Sequence, residues 1–244
     1  DGLYAPSNCV LTFAGKINQT RADALANTFF AGMAGQSDRK FEPFKTYGKD
    51  KVWLRTKNTE QAHLVMGAPS ISTDDADHFA LKLLAIILGG NMSSRMFLRI
   101  REARGLCYYI STDTDNYLDA GAISTRAGVD QSRLDEALQA IRTEYMLIAA
   151  DGIMPDELVR AKDYLKGKIT LSLEDSEERA HYFGKQLLLK GKVRDLDVVS
   201  AEIDKVTKEQ VDALAKKLFT PDALRLVVIG KDDRKSHFEE MLVG

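Results

Sequence analysis

The chain has 244 residues, 44% of them hydrophobic and 29% charged, with a formal net charge of −2. This is the composition of an ordinary soluble globular protein, long enough for one large domain or two modest ones with a sizeable core. Acids and bases are interspersed, so global charge supports no non-specific binding to nucleic acid or to an anionic membrane, and no apolar run approaches the roughly 18 residues needed to span a bilayer.

The opening residues, DGLYAPSN, are not a signal peptide. They lead directly into an apolar run, CVLTFAGK, which predicts a strand and then a helix, as expected of a chain that begins partway through a larger protein. Residues 31–50, AGMAGQSDRKFEPFKTYGKD, combine glycines, a proline and scattered charges and read as a surface linker. Strands are predicted over 51–56 and 62–68. Thr73 is a candidate cap for a helix over 74–88, with Phe79, Leu83, Ile86 and Ile87 on one face and Gly89-Gly90 at its end. Ser93 opens a short helix to about 103. Two further strands, 107–116 and 120–127, are joined by a turn at 117–119. Residues 131–151 form an amphipathic helix, Pro155 suits the first turn of the next, and a third covers 176–190. Thr207 to Gln210 has the capping-box pattern, and residues 224–229 read as the closing strand. Strands neighbouring in sequence with helices bunched after them predict an α+β fold, a mostly antiparallel sheet with helices packed on one face.

A weak internal repeat bears on domain organisation. Pro6 precedes Gly15, and Pro221 precedes Gly230, at the same offset; an apolar run fills each gap and a lysine follows each glycine. If the repeat is a duplication, residues 1–36 are the trailing strand and helix of a preceding homologous half, 37–48 a linker, and 49–244 the complete second copy.

The four histidines, His63, His78, His181 and His237, include no pair at the helical spacing of a zinc site, so no zinc and no other cofactor is expected in this chain. Of the four, His63 is expected to be partly buried, in the run AHLVMG. Cys9 and Cys107 lie in apolar runs and read as buried, reduced thiols. Arg95, Arg99, Arg101 and Arg104 crowd one short segment. By themselves they suit the solvated face of an amphipathic helix, or an anion-binding patch in an unrelated α+β module. Arg101 and Tyr108 are separated by a turn at Gly105, which brings a permanent cation and a phenol together; both donate to a peptide carbonyl. Strict strand alternation places Tyr108 and Tyr109 on opposite faces.

The segment LGGNMSSRMFLRIREARGLCYY resembles the C-terminal half of the pitrilysin/insulinase family of zinc metallopeptidases, in its processing-peptidase-like branch. EQAHLVMGAP, DGIMPDELVRAKDYLKGKI and YAPSNCVLTFAGK resemble flanking parts of the same family, so the likeness covers nearly the whole chain. It implies two homologous halves around a chamber. A zinc-bearing half, fused or separate, would be the partner, extended peptide the substrate, and this half would lend Arg101 and Tyr108 to the partner's active site, being inactive alone. A non-catalytic structural or assembly subunit of the same fold is the alternative, with respiratory-complex core proteins as precedent.

Overall fold

A computed structural model describes residues 3–37 and 40–243. In chain order the elements are α1 (Gln19–Phe30), β1 (Val52–Thr56), β2 (Gln61–Ser70), α2 (His78–Ala85), β3 (Cys107–Asn116), β4 (Gly121–Asp130), α3 (Leu134–Asp151), α4 (Pro155–Ser172), α5 (Ser176–Lys190), α6 (Leu196–Lys205), α7 (Lys208–Leu218), β5 (Arg225–Gly230) and α8 (Lys235–Val243). Two compact units result: Phe44–Asp163 with Glu202–Gly244, and Asp1–Pro43 with Tyr164–Ala201.

The larger unit is built on a five-stranded sheet in the order β1-β5-β2-β4-β3. Its neighbours pair antiparallel except β1 and β5, which run parallel. The chain leaves β1 and returns only after α7 to insert β5 between β1 and β2, and a parallel pair requires such a long crossover. Alternation sorts each strand. In β2, Ala62, Leu64, Met66 and Ala68 are buried, while His63 and Val65 are exposed. Helices α2, α3 and α7 pack against the buried side, and α8 packs beside β1 and α3. The opposite side is open within this unit: Trp53, Val65, Val227 and Tyr109 are each about two-fifths exposed there. The fold is the expected α+β arrangement, with helices on one face.

The buried side carries one polar chain. The Thr112 and Thr125 hydroxyls lie 2.7 Å apart, Thr125 reaches the Tyr145 phenol at 2.6 Å, and Tyr145 donates to the Met66 carbonyl at 3.0 Å. Each oxygen is thus satisfied, as burial demands, and burial pushes the Tyr145 phenol pKa far up. Gly89 packs on this chain. After α2 the helix continues as a π-helical segment, Ile86–Gly90, and a Cβ on Gly89 would lie 2.2 Å from Thr112 Oγ1 and 2.7 Å from its backbone nitrogen. Gly89→Ala should therefore push the helix off β3 and cost about 1–3 kcal/mol. The expected result is a lower melting midpoint for the full protein; an unchanged midpoint would contradict the contact.

Four local expectations are corrected. α2 begins at His78, with Asp77 at its cap position, so Thr73 lies too far upstream to accept from its first-turn N–H groups; the Thr73 N–H donates instead to the Tyr117 carbonyl at 2.8 Å. Residues 9–14 form no strand. A strand needs a neighbour to pair with, and here the segment lies along α5, with Thr12 Oγ1 donating to the Ala180 carbonyl at 3.1 Å. Cys9 is accordingly exposed, whereas Cys107 is buried. His63 is exposed, because strand alternation turns it to the open side of the sheet. Within the segment read as a linker, which is not among these corrections, Tyr47 OH donates to the Gly121 carbonyl at 2.6 Å and Phe44 N–H donates to Asp119.

Candidate functional site

The site grows from a turn. Asn91 Oδ1 accepts the Ser93 N–H at 2.8 Å, and the Asn91 carbonyl accepts the Ser94 hydroxyl at 2.6 Å, which sets the start of the arginine-rich helix. From Phe97 to Glu102 that helix is π-wound, with Ala103 N–H bonded to the Leu98 carbonyl at 3.0 Å. Gly105 then reverses the chain with φ +57°, a left-handed conformation that suits glycine. Its N–H closes on the Arg101 carbonyl at 3.0 Å, and β3 begins two residues later.

The four arginines differ in their surroundings. Arg95 is buried. Its guanidinium grips Glu157 with two bonds of 2.7 and 2.6 Å and donates to the Gly152 carbonyl at 3.0 Å. The solvated-face reading fails for this residue, because its acidic partner lies on α4, distant in sequence. Burial pushes the Glu157 carboxyl pKa up, but the Arg95 and Met154 hydrogen bonds outweigh it and hold it below its ordinary value. Arg99 pairs with Glu144 at 2.9 Å, and Arg104 with Glu136 at 2.9 Å. Among the described residues Arg101 makes no ion pair. Its guanidinium carbon lies 4.7 Å from the centre of the Phe97 ring, a cation–π contact that steadies the side chain without neutralising it.

Across the turn, β3 carries a bulge. Cys107 pairs with Val129 and Tyr109 with Gly128, which leaves Tyr108 as the extra residue. A bulge interrupts strict alternation. Neither tyrosine is buried: Tyr108 is 59% exposed and Tyr109 41%. The expectation that the two sit on opposite faces assumes regular alternation, which the bulge interrupts here. Burial pushes the Cys107 thiol pKa up to about 11, against the opposing pull of the Arg101 charge. Arg101 thus acts electrostatically on the residue just before Tyr108. The structure brings Arg101 and Tyr108 to the two sides of one glycine turn, with no hydrogen bond between them.

His63, which the sequence did not single out as a candidate, lies against Tyr109. Its Nδ1 is 3.1 Å from Tyr109 OH, the rings stacked at 6.3 Å, with Gly128 beneath. The signal was the absent side chain at Gly128, legible only once the strand register is known. Among the described residues no group of three or more His, Cys, Asp and Glu is placed to hold a metal ion.

Residues 2–165 match the family model described as the peptidase M16 inactive domain. The uncharacterized zinc protease YmxG of Bacillus subtilis is 33% identical over 226 residues, covering 92% of this chain and 54% of that protein. The uncharacterized zinc protease ML0855 of Mycobacterium leprae is 33% identical over 219 residues, covering 88% of this chain and 49% of that protein. The chain thus spans about half the length of the curated relatives it matches. In fold it is similar to a peptidase M16 inactive domain from Pseudomonas fluorescens, with a TM-score of 0.78 and 22% identity over 90% of this chain and 53% of that one. A protease from Helicobacter pylori gives 0.76 and 19%, over 89% and 53%. These matches show that the chain belongs to the peptidase M16 family of metallopeptidases, as its inactive domain.

Proposed function

We propose that this chain is the non-zinc half of a zinc metallopeptidase. In that role it holds extended peptide and presents Arg101 and Tyr108 to the bond being cut by a zinc-bearing half. One observation carries the reading. Arg95, Arg99 and Arg104 are matched with carboxylates, while among the described residues Arg101 has none and lies one glycine turn from an exposed phenol. A guanidinium keeps its proton and offers a planar fork of donors. A phenol adds one more. Donors fixed in advance near a peptide carbonyl lower the energy of the negative charge that grows on it during hydrolysis. The zinc-bearing half supplies the hydrolytic centre; this half's residues bind, orient and stabilise.

Residues 1–36 fit the same scheme as the trailing strand and helix of a preceding homologous half, with 37–48 as linker and 49–244 as the second copy. The support is the matched Pro6/Gly15 and Pro221/Gly230 offsets, the second of which ends in β5, a strand with neighbours on both sides. Residues 9–14 have the sequence of such a strand, and Leu11 and Phe13 in it stay exposed.

The test is steady-state hydrolysis of an unstructured peptide by the full protein, wild type against Arg101→Ala. A lowered kcat/KM at an unchanged melting midpoint supports the proposal. Wild-type kinetics would make this chain a structural subunit of the same fold.

A further inference from the structure

We propose that Tyr109 is a second peptide-contacting residue and that His63 is the positioning residue which aims its phenol. This rests on the peptide-binding role proposed above. The bulge at Tyr108 advances the register so that Tyr109 pairs with Gly128, and Gly128 in turn pairs with His63. Three strands therefore contribute to one row on the open side of the sheet. Gly128 is what makes the row possible. A Cβ there would lie 2.4 Å from Tyr109 Cε1, so any larger residue would displace the ring. With glycine beneath it, the Tyr109 ring reaches across β4, and its oxygen comes within 3.1 Å of His63 Nδ1.

The two rings stack at an interplanar angle of 25°. An exposed tyrosine ordinarily samples several rotamers, and fixing it costs side-chain entropy. Here the imidazole and the glycine saddle hold it before any ligand arrives. Preorganisation of this kind lowers the entropic cost of binding. Tyr109 follows Tyr108 directly and both are exposed, so a peptide contacting Tyr108 passes within reach of Tyr109.

The hydrogen bond has two directions, and the proton on His63 selects between them. With Nδ1 unprotonated it accepts the phenol proton, and the tyrosine oxygen is left as an acceptor only. With Nδ1 protonated the imidazole donates to the phenol oxygen, and the phenol O–H turns outward to a peptide carbonyl. Histidine changes charge within the physiological pH range. The groups around His63 are Gln61 and Val65 on its own strand, Ile229 from β5, Gly128 with Arg126 and Asp130 from β4, and Tyr109 from β3. Arg126 is paired with Asp113, and Asp130 accepts from Ser132. The proton on His63 Nδ1 thus sets whether Tyr109 accepts or donates, and Tyr109 should donate to peptide better once Nδ1 carries a proton.

The experiment uses the full protein, zinc-bearing half included, and an unstructured peptide. Wild type, Tyr109→Phe, His63→Gln, the double variant and Tyr108→Phe are compared at about pH 6 and about pH 8. A hydrogen bond of ordinary strength corresponds to about a two- to tenfold rise in KM for Tyr109→Phe at the lower pH, with kcat little changed. The rise should shrink at the higher pH. In the His63→Gln background the effect of Tyr109→Phe should lose its pH dependence, since glutamine does not titrate; a role for His63 independent of Tyr109 would leave that dependence intact. Both side chains are exposed, so the variants should melt like wild type. If Tyr108→Phe impairs hydrolysis while Tyr109→Phe leaves KM unchanged at both pH values, this proposal is wrong and the broader one stands. If all variants behave as wild type, the peptide-contact reading itself falls.

Discussion

Arg101→Ala should lower kcat/KM for peptide hydrolysis by the full protein, by up to about 10²–10³, the loss seen when a fixed donor to a developing oxyanion is removed. The melting midpoint should not move, because Arg101 makes no ion pair among the described residues and its contact is with the Phe97 ring on its own helix. Arg101→Lys should recover only part of the loss, since an ammonium does not reproduce the planar fork. Tyr108→Phe removes one neutral donor and should cost less, about tenfold or below. Arg104→Ala is the charge control. It breaks an exposed pair with Glu136, which is worth about 0–1 kcal/mol, and should leave the kinetics near wild type. Equal losses in Arg101→Ala and Arg104→Ala would point to general electrostatics rather than to an aimed donor. Wild-type kinetics in both Arg101→Ala and Tyr108→Phe would sink the assisting role.

What was legible in the sequence follows from how local each signal is. β3 and α5 span the residues expected of them, 107–116 and 176–190, and Thr207 and Gln210 form the expected capping box, because alternation, caps and glycine stops act within a few residues. The Arg101–Gly105–Tyr108 turn was legible for the same reason. The bulge was not. It is a mismatch between β3 and β4, visible only when Cys107 is paired with Val129 and Tyr109 with Gly128. The Tyr109–His63 contact spans three strands and was hidden with it. Arg95 looked like a solvated helix residue because Glu157, 62 positions later, carries no local mark of its partner. Helix α6, at 10 residues, was not anticipated. Residues 9–14 show the converse. Their pattern is that of a strand, yet pattern alone does not make one without a neighbouring strand.

Arg95→Met should be the most destabilising of the arginine substitutions. Arg95 and Glu157 are only 8% and 14% exposed, and two hydrogen bonds join them. Removing the cation leaves a buried carboxylate unpaired, which costs about 3–5 kcal/mol and, for a domain of this size, lowers the melting midpoint by roughly 10 °C. Glu157 also accepts the Met154 N–H at 2.7 Å, close to the start of α4, so its replacement must keep an acceptor. Glutamine does so without the charge. Arg95→Met with Glu157→Gln should therefore recover much of the lost stability, whereas additive losses would mean the ion pair was not the source. The pH dependence has a definite sign. The folded-state pKa of Glu157 lies below its ordinary value, so the pair stabilises fully above the ordinary carboxylate range and is lost as pH falls through that depressed pKa. In wild type, acid should erode stability through this window. Glu157→Gln should be less stable near neutrality but should show a shallower acid slope, measured as melting midpoint against pH from about 7 down to about 3. A slope identical to wild type would show that Glu157 keeps the same protonation behaviour folded and unfolded, and would contradict the buried pair.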